Sequence, residues 1–265
     1  MCLIVFDWRP GTRIPLRMAA NRDEFHARPT AVLQRWEDAP GILGGRDLQA
    51  GGTWLAAHRC GRLAAVTNVR APEFAIPANA VSRGELVRQA LECDNLEHWL
   101  RTLTRTQAHR YAGFNLLASD GKRLWHLHHG PSGTTLERIA PGVHGLSNAS
   151  LDTPWPKLLS TRAGLADVVA KNLDEASFAN EAWSLLSDDH PVEDARLPNT
   201  GVELALERFL SAPFILGEEY GTRASTWVNW QADGNLAIGE RSFGPGGRFL
   251  EEHRYRQEMP PLSIE

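Results

Sequence analysis

A cysteine stands second in the chain, after the initiator methionine and before an apolar run at residues 3–6. The side chain of Cys2 is small enough to permit removal of Met1, and removal would leave Cys2 with both a thiol and a free α-amine. These groups form a nucleophile with its own base, because the thiol has a pKa of about 8.5 and the amine a pKa of about 8. A strand over residues 3–6 would hold this chain end in a sheet, whereas chain ends are usually mobile. The alternative is that Cys2 is an ordinary small buried residue.

An arginine and an aspartate follow close behind this cysteine. The pattern predicts a hairpin, with one strand at residues 3–8 and a second at about residues 14–20, so that Arg22 and Asp23 return beside Cys2. A guanidinium near the sulfur lowers the pKa of a thiol, and a carboxylate can hold an α-ammonium group. The alternative is a solvated ion pair beyond the end of the strand.

Two asparagines and a second arginine are candidates for the rest of such a site. An attacked carbonyl develops negative charge on its oxygen, which amide N–H groups can stabilise. Asn68 and Asn148 each follow a turn or a strand end, and either could supply this donor. Arg223 could bind a carboxylate or phosphate through its planar guanidinium. Taken separately, turn formation and a surface ion pair are the alternatives for these residues.

Histidines raise the alternative of a metal site. His126 and His128 alternate on a predicted strand, with His129 next to them, and would share one face. Zinc sites need a third and a fourth ligand at suitable spacing, which no other histidine supplies. The chain also has no covalent haem attachment motif and no phosphate-binding loop. We therefore predict no metal site and no required cofactor.

The composition is that of an ordinary globular protein. The chain has 265 residues, 42% hydrophobic and 23% charged, and its net charge of −4 argues against nucleic acid as a partner. No apolar run reaches the roughly 18 residues of a membrane span, and the start does not have the pattern of a signal peptide. Three cysteines without close spacing, Cys2, Cys60 and Cys93, indicate free thiols in a reducing compartment. We expect a cytoplasmic protein.

The remaining elements are hairpins at both ends with helix pairs between them. This arrangement predicts one α+β domain over residues 1–265, with antiparallel sheets and helices on their outer faces. Residues 28–52 are predicted to be rich in loops, 187–201 to be an exposed connection or a lid, and the tail from Met259 to be loose. Further strands are predicted at about 54–57, 63–68, 114–118, 123–128, 134–139, 224–230 and 236–241, and helices at about 82–92, 95–103, 153–170, 174–187 and 202–210.

Eight short motifs occur in a specific order along nearly the whole chain. They are Met1-Cys2-Leu3-Ile4, Ala20-Asn21-Arg22-Asp23-Glu24-Phe25, Gly44-Gly45-Arg46-Asp47, Gly51-Gly52-Thr53-Trp54-Leu55, Thr67-Asn68, Gly145-Leu146-Ser147-Asn148, Asp152-Thr153-Pro154-Trp155-Pro156-Lys157 and Tyr220-Gly221-Thr222-Arg223. Together they resemble the NRDE family, also called the transport and Golgi organisation 2 family.

The resemblance implies an N-terminal-nucleophile hydrolase-like fold, an αββα sandwich of two stacked antiparallel sheets between helical layers. In the related choloylglycine hydrolase and penicillin V acylase group, a cysteine nucleophile works with an arginine, an aspartate, an asparagine and a second arginine. By position and type, the matching residues would be Cys2, Arg22, Asp23, Asn148 or Asn68, and Arg223.

One feature departs from that group, which separates its first arginine from its aspartate. Here Arg22 and Asp23 are adjacent, and neighbours on a regular strand point to opposite faces. Both could reach Cys2 only if the strand ends or bulges there. Otherwise Asn21 and Asp23 would share the inner face and Arg22 would point away.

Two functions are consistent with these residues. The first is an N-terminal cysteine hydrolase that cleaves the amide C–N bond of a small acyl-amide substrate. The second is a non-catalytic carrier of haem or of an acyl-CoA or lipid in the same cleft, with Arg22 and Arg223 facing the ligand's anionic groups. The family's eukaryotic members, which resemble proteins of secretory organisation, haem trafficking and acyl-CoA handling, motivate the second.

Overall fold

The computed structural model of the protein describes residues 2–262. The helices are α1 (Gly84–Glu92), α2 (Leu96–Thr102), α3 (Pro156–Ala170), α4 (Glu175–Leu186) and α5 (Leu204–Phe209). The strands are β1 (Cys2–Trp8), β2 (Leu16–Phe25), β3 (Thr30–Arg35), β4 (Ile42–Asp47), β5 (Leu55–His58), β6 (Arg62–Asn68), β7 (Phe114–Ser119), β8 (Leu124–Gly130), β9 (Gly133–Arg138), β10 (Gly142–Leu146), β11 (Tyr220–Trp230), β12 (Asn235–Phe243) and β13 (Phe249–Glu258). Among these described residues, every helix is too short or too polar to cross a bilayer.

The strands form two antiparallel sheets. The first has six strands in the order β10-β1-β2-β11-β12-β13, and the second has seven in the order β3-β4-β5-β6-β7-β8-β9. In the first sheet, β2 lies between β1 and β11 and pairs with both of them. The first predicted hairpin is therefore confirmed, and it forms the centre of its sheet.

Three apolar clusters separate the layers of the molecule. One lies between the sheets, a second joins α1 and α2 to the seven-stranded sheet, and a third joins α3 and α4 to the six-stranded sheet. Along β1, Cys2, Ile4 and Phe6 face the other sheet, whereas Leu3 and Val5 face the helices. Both faces of β1 are thus buried, which explains why its sequence is continuously apolar rather than alternating. The predicted αββα sandwich is confirmed.

The helices begin where local chemistry and packing agree. Asn95 caps α2, because its side chain accepts a hydrogen bond from the backbone N–H of His98. The sequence Ser82-Arg83-Gly84-Glu85 has the pattern of a capping box and predicts one at the start of α1. This prediction is wrong: Arg83 takes the N-cap position in a helical conformation, and no side chain caps this end. The start of α1 is held instead by the strand-entry segment before β5, where the Thr53 N–H donates to the Gly84 carbonyl at 3.2 Å.

The prediction that residues 28–52 are mainly loop is wrong, since β3 and β4 lie there. The glycines of β4 concealed the strand pattern, but they are required by close packing. A Cβ on Gly44 would lie 2.6 Å from the Cβ of Ala56 on the neighbouring strand. Glycine at this position therefore marks a close approach of two strands rather than a loop.

The last strand, β13, and the tail behind it also differ from the prediction. β13 is an edge strand rich in charged residues, so it has little apolar alternation to reveal it. The tail Met259-Pro260-Pro261 is not loose: the Met259 side chain is buried and its backbone N–H donates to the Gly234 carbonyl at 2.9 Å. Leu262 makes a similar bond to the Ala232 carbonyl. These contacts cover the turn between β11 and β12.

Candidate functional site

Cys2 lies directly opposite Arg22 on the adjacent strand β2. The two side chains belong to the face of the sheet that looks across to the other sheet, since Ile4 and Ala20 of the same strands pack in the intersheet cluster. Cys2 is only 7% exposed, and it lines a cavity of about 680 Å³ that opens between the two sheets. Met1, whose removal the hydrolase hypothesis requires, lies outside the described residues.

The environment of Cys2 favours the protonated thiol. Burial raises the pKa of this thiol, and the Asp23 carboxylate raises it further. The Arg22 guanidinium and a hydrogen bond from the backbone N–H of Asp23 lower the pKa but do not reverse the effect of burial. A base is therefore needed before the sulfur can act as a nucleophile.

Asp23 lies on the opposite face of β2, as expected for a neighbour of Arg22 on a regular strand. Its Oδ1 accepts a hydrogen bond from the Thr222 hydroxyl at 2.7 Å. Burial raises the pKa of the Asp23 carboxyl, while Lys157 and Arg22 lower it. Asp23 still borders the cavity, together with Arg22.

The irregularity that the sequence required is present on the other strand. The register between β2 and β11 shifts between Thr222 and Ala224, so that Arg223 is an extra residue in β11. β2 neither ends nor bulges at Arg22 and Asp23 but runs on to Phe25, so only one of the two residues shares the face of Cys2. The expectation that this residue would be Asp23, with Arg22 pointing away, is wrong: Arg22 lies opposite Cys2 on the face between the sheets, and Asn21 and Asp23 lie on the other face. The bulge places Arg223 on the cavity wall with Arg22.

The two asparagines meet, although 80 residues separate them in the chain. Asn148 is fully buried, and its Nδ2 donates to the backbone oxygen and to Oδ1 of Asn68, both at 2.9 Å. Asn68 lines the cavity, but Asn148 is not among the described lining residues. The Ser147 hydroxyl joins this pair to the chain start, since it donates to the Cys2 carbonyl at 3.0 Å.

A buried hydrogen-bond network continues from this pair toward β8. The Thr67 hydroxyl donates to the Ser147 carbonyl at 2.6 Å and accepts from Asn115 Nδ2 at 3.1 Å. Asn115 Oδ1 is in turn bonded to His126 Nε2 at 3.1 Å and to His128 Nδ1 at 2.7 Å. The two histidines share a face, as predicted, but both are engaged with one amide oxygen. Their positions fit a structural role better than metal ligation.

Lys157 is a buried residue of the site that the sequence reading did not assign. Only 3% of it is exposed, and its Nζ donates to the Leu210 carbonyl at 2.8 Å. Burial lowers the pKa of Lys157 to about 8, against the opposing effect of Asp23. A lysine inside the Asp152-Thr153-Pro154-Trp155-Pro156-Lys157 motif was the available signal, because a charged residue at the start of a buried helix needs a partner.

Arg70 and Glu207 form a buried ion pair near this lysine. Arg70 Nη1 and Glu207 Oε2 are 2.6 Å apart, and their side chains are 8% and 3% exposed. Glu207 also accepts a hydrogen bond from the Thr200 N–H at 2.8 Å. This pair ties the segment predicted as a connection or lid, 187–201, to the loop that follows β6.

Comparison with known proteins identifies the family. The family described as "Transport and Golgi organisation 2" matches residues 1–245. The Transport and Golgi organization protein 2 homolog of Bos taurus is 35% identical, covering 91% of this chain and 93% of the relative. The homolog of Homo sapiens is 34% identical, with the same coverage of 91% and 93%.

A solved structure shows the fold at lower identity. A variant of the conjugated bile acid hydrolase from Clostridium perfringens superposes with a TM-score of 0.50 at 9% identity, covering 99% of each chain. This likeness supports the N-terminal-nucleophile hydrolase-like arrangement of the two sheets and their helical layers. The chain therefore belongs to the Transport and Golgi organisation 2 family.

Proposed function

We propose that this protein is an N-terminal cysteine amidohydrolase that cleaves the C–N bond of a small acyl amide. One observation carries the proposal: Cys2 lies opposite Arg22 at the wall of a cavity that Asn68 also lines. A thiol, a cation and an amide donor facing one cavity are the groups that acyl transfer to sulfur requires. The fold shared with a bile acid hydrolase supports the same reaction class.

The reaction proceeds in two steps. Once Met1 is removed, the α-amine of Cys2 takes the thiol proton, and the sulfur attacks the amide carbon. The carbon–nitrogen bond breaks as the α-ammonium returns a proton to the leaving amine, which leaves a thioester on Cys2. Water then attacks the thioester and gives a proton to the α-amine; the carbon–sulfur bond breaks, the sulfur regains a proton and the acid departs.

We assign Asn68 as the donor to the oxyanion and Asn148 as a positioning residue. Both amide contacts of Asn148 Nδ2 are made to Asn68, at 2.9 Å. Because Asn68 Oδ1 faces Asn148, its own Nδ2 is the end of the amide left for the cavity. Arg22 stabilises the thiolate, since its guanidinium lowers the pKa of Cys2. Asp23, on the other face of β2, would orient the liberated α-ammonium, and Arg223 would bind the substrate.

A second candidate is the non-catalytic carrier of haem or of an acyl-CoA or lipid. The observation that favours it is the protonated state of the buried Cys2 thiol, whose pKa is raised by burial. A carrier would use the cavity and its arginines without needing a thiolate. Binding that does not depend on Cys2 would distinguish it from the hydrolase.

The test combines intact mass with turnover. We expect the purified protein to lack Met1 and to release 4-nitroaniline from medium-chain acyl 4-nitroanilides, with a transient mass increase equal to one acyl group. Cys2→Ala should abolish release, whereas Cys60→Ala, which changes an exposed thiol, should not. Retention of Met1, or equal release by Cys2→Ala, would refute the mechanism. Tight binding of haem or acyl-CoA that survives Cys2→Ala, with no amide turnover by the unsubstituted protein, would favour the carrier.

A further inference from the structure

Arg83 lines the same cavity as Cys2 and has no established role. It precedes α1 directly, is partly buried, and donates from Nη1 to the Gly113 carbonyl at 3.2 Å. Within residues 2–262, no carboxylate oxygen lies within the 4.0 Å of an ion pair with Arg83. Burial lowers the pKa of Arg83, and negative charge on Cys2 or Glu24 raises it, so a thiolate formed at Cys2 would act on this guanidinium.

Arg223 lines the same cavity and is in a similar position, at the bulge of β11. Its Nη1 donates to the Phe25 carbonyl at 3.3 Å and to the Thr30 hydroxyl at 3.2 Å, both of which are neutral acceptors. Its Nε is buried without a hydrogen-bond partner in the described part of the chain. There too, no carboxylate oxygen comes within ion-pair distance of Arg223.

The carboxylates nearby are engaged elsewhere. Asp47 pairs with Arg28 at 2.6 Å, and Glu24 lies 3.4 Å from Arg22. Glu240, deeper in the cavity wall, accepts a hydrogen bond from the backbone N–H of Leu33 at 2.8 Å. Guanidinium groups withdrawn from water without a counter-charge are costly, so proteins pair them or present them to an anionic ligand.

We propose that the substrate of this cavity is an acyl amide that carries an anionic group, and that Arg83 and Arg223 bind that group. A planar guanidinium holds a carboxylate or phosphate through two parallel hydrogen bonds, which makes arginine suited to this task. That this ligand is cleaved rests on the proposed hydrolase function, whereas binding of its anionic group does not depend on catalysis. Arg83 is thereby a specificity-determining residue.

The mouth of the cavity is apolar, in contrast to the arginines inside it, and this indicates a second part of the ligand. Phe25, Ile76 and Leu250 line the cavity and are 56%, 72% and 47% exposed, so they lie where it meets solvent. Apolar side chains at this opening are suited to an acyl chain. An amphiphilic acid amide fits both features.

The test measures binding in Cys2→Ala protein, so that no ligand is consumed. The probes are N-decanoylglycine and N-decanoylglycinamide, which differ in the anionic group alone, and titration calorimetry gives their Kd values. We expect the acid to bind about 10- to 100-fold more tightly than the amide, since a hydrogen-bonded charge contributes this much. N-Decanoyl aminomethylphosphonate, in which a phosphonate replaces the carboxylate of the acid, shows whether the site also accepts a phosphate-like anion; the preference for the acid over the neutral amide decides the proposal in either case.

Variants of Arg83 locate the effect. Arg83→Gln should remove most of the preference for the acid and leave the amide unchanged, and Arg83→Lys, which keeps the charge, should retain part of it. Arg105→Gln, at an exposed arginine of the turn after α2, is the matched control. If Arg83→Gln does not fold, the Arg83→Lys protein is titrated with both probes at low and at high salt. Loss of its preference for the acid over the amide at high salt then supplies the same information.

Two results would overturn the inference. One is equal affinity for the acid and the neutral amide, and the other is an acid preference that Arg83→Gln leaves intact. Turnover of neutral acyl 4-nitroanilides without any acid preference would refute anion recognition and leave the hydrolase standing. A preference for the acid in a protein that turns over no amide would support anion recognition and refute the hydrolase.

Discussion

The contact between Asn148 and Asn68 makes a quantitative prediction about catalysis. Asn68→Ala removes the amide that faces the cavity, whereas Asn148→Ala removes the group that orients it. Loss of one oxyanion donor lowers kcat by about 100- to 1,000-fold, or roughly 2.7–4 kcal/mol. We expect this loss for Asn68→Ala, with little change in KM, because the donor acts on charge that develops only in the transition state.

The expected effect of Asn148→Ala is smaller. The substitution deletes the two hydrogen bonds of 2.9 Å that hold Asn68. Each bond contributes about 1 kcal/mol net, so the Asn68 amide loses roughly 2 kcal/mol of the free energy that holds it in position. This loss corresponds to a fall in kcat of about 30-fold. If Asn148 acts only through Asn68, the double variant should be no slower than Asn68→Ala, within about 3-fold.

The assay is release of 4-nitroaniline from acyl 4-nitroanilides at saturating substrate by the four proteins of this cycle. Asn180→Ala, at an exposed position of α4, is the control for replacing an asparagine. Thermal unfolding of each variant separates loss of folded protein from loss of kcat. Multiplicative losses in the double variant would refute the assignment, because they would mean that Asn148 itself reaches the oxyanion.

Two further predictions concern stability. Glu207→Gln breaks the buried ion pair with Arg70, whose atoms are 2.6 Å apart, and should lower the free energy of unfolding, measured in urea, by about 3–5 kcal/mol. The control is Glu203→Gln, at an exposed position just before α5, which should change this free energy little. Equal losses in the two variants would contradict a special role for the pair. Burial and the neighbouring histidines His126 and His129 lower the pKa of His128 to about 4, against about 6.5 in an unfolded chain. At this site the unfolded chain therefore binds more protons between these two values, so that the contribution of His128 to stability should fall by up to about 3 kcal/mol as the pH drops from 6.5 to 4 and stay constant below that range. His128→Gln should flatten this dependence relative to His98→Gln, and an unchanged slope would show that His128 is not its source.

Local patterns predicted the fold class and most of the elements, but not β3, β4, β10 or β13. The apolar start, the turn behind it and the returning strand predicted the hairpin that places Arg22 opposite Cys2. Helix α2 was predicted with either Asp94 or Asn95 as its cap, since a cap depends on residues within one turn, and the structure shows that Asn95 is the one. Where glycine or charge masked the pattern, as in β4 and β13, the strand was missed because its stability comes from its neighbours.

The site could be predicted in its residue types but not in its contacts. The sequence left Asn68 and Asn148 as equal candidates for one role. Their separation of 80 residues means that only the packing of β6 against the end of β10 shows which one faces the cavity. Lys157 and Arg83 were not recognised, since burial of a charge cannot be read from its neighbours in the chain.

The amino-acid sequence by itself determined the order of the strands and helices, the alternation of their faces and the position of Cys2 at the start of the first strand. These properties follow from side-chain periodicity and turn chemistry, which act over a few residues. The tertiary structure decided the bulge at Arg223, the pairing of the two asparagines and the placement on one cavity of Arg83 and Arg223, which form no ion pair within residues 2–262. Those features depend on which distant groups exclude water from one another, and desolvation is a property of the assembled fold.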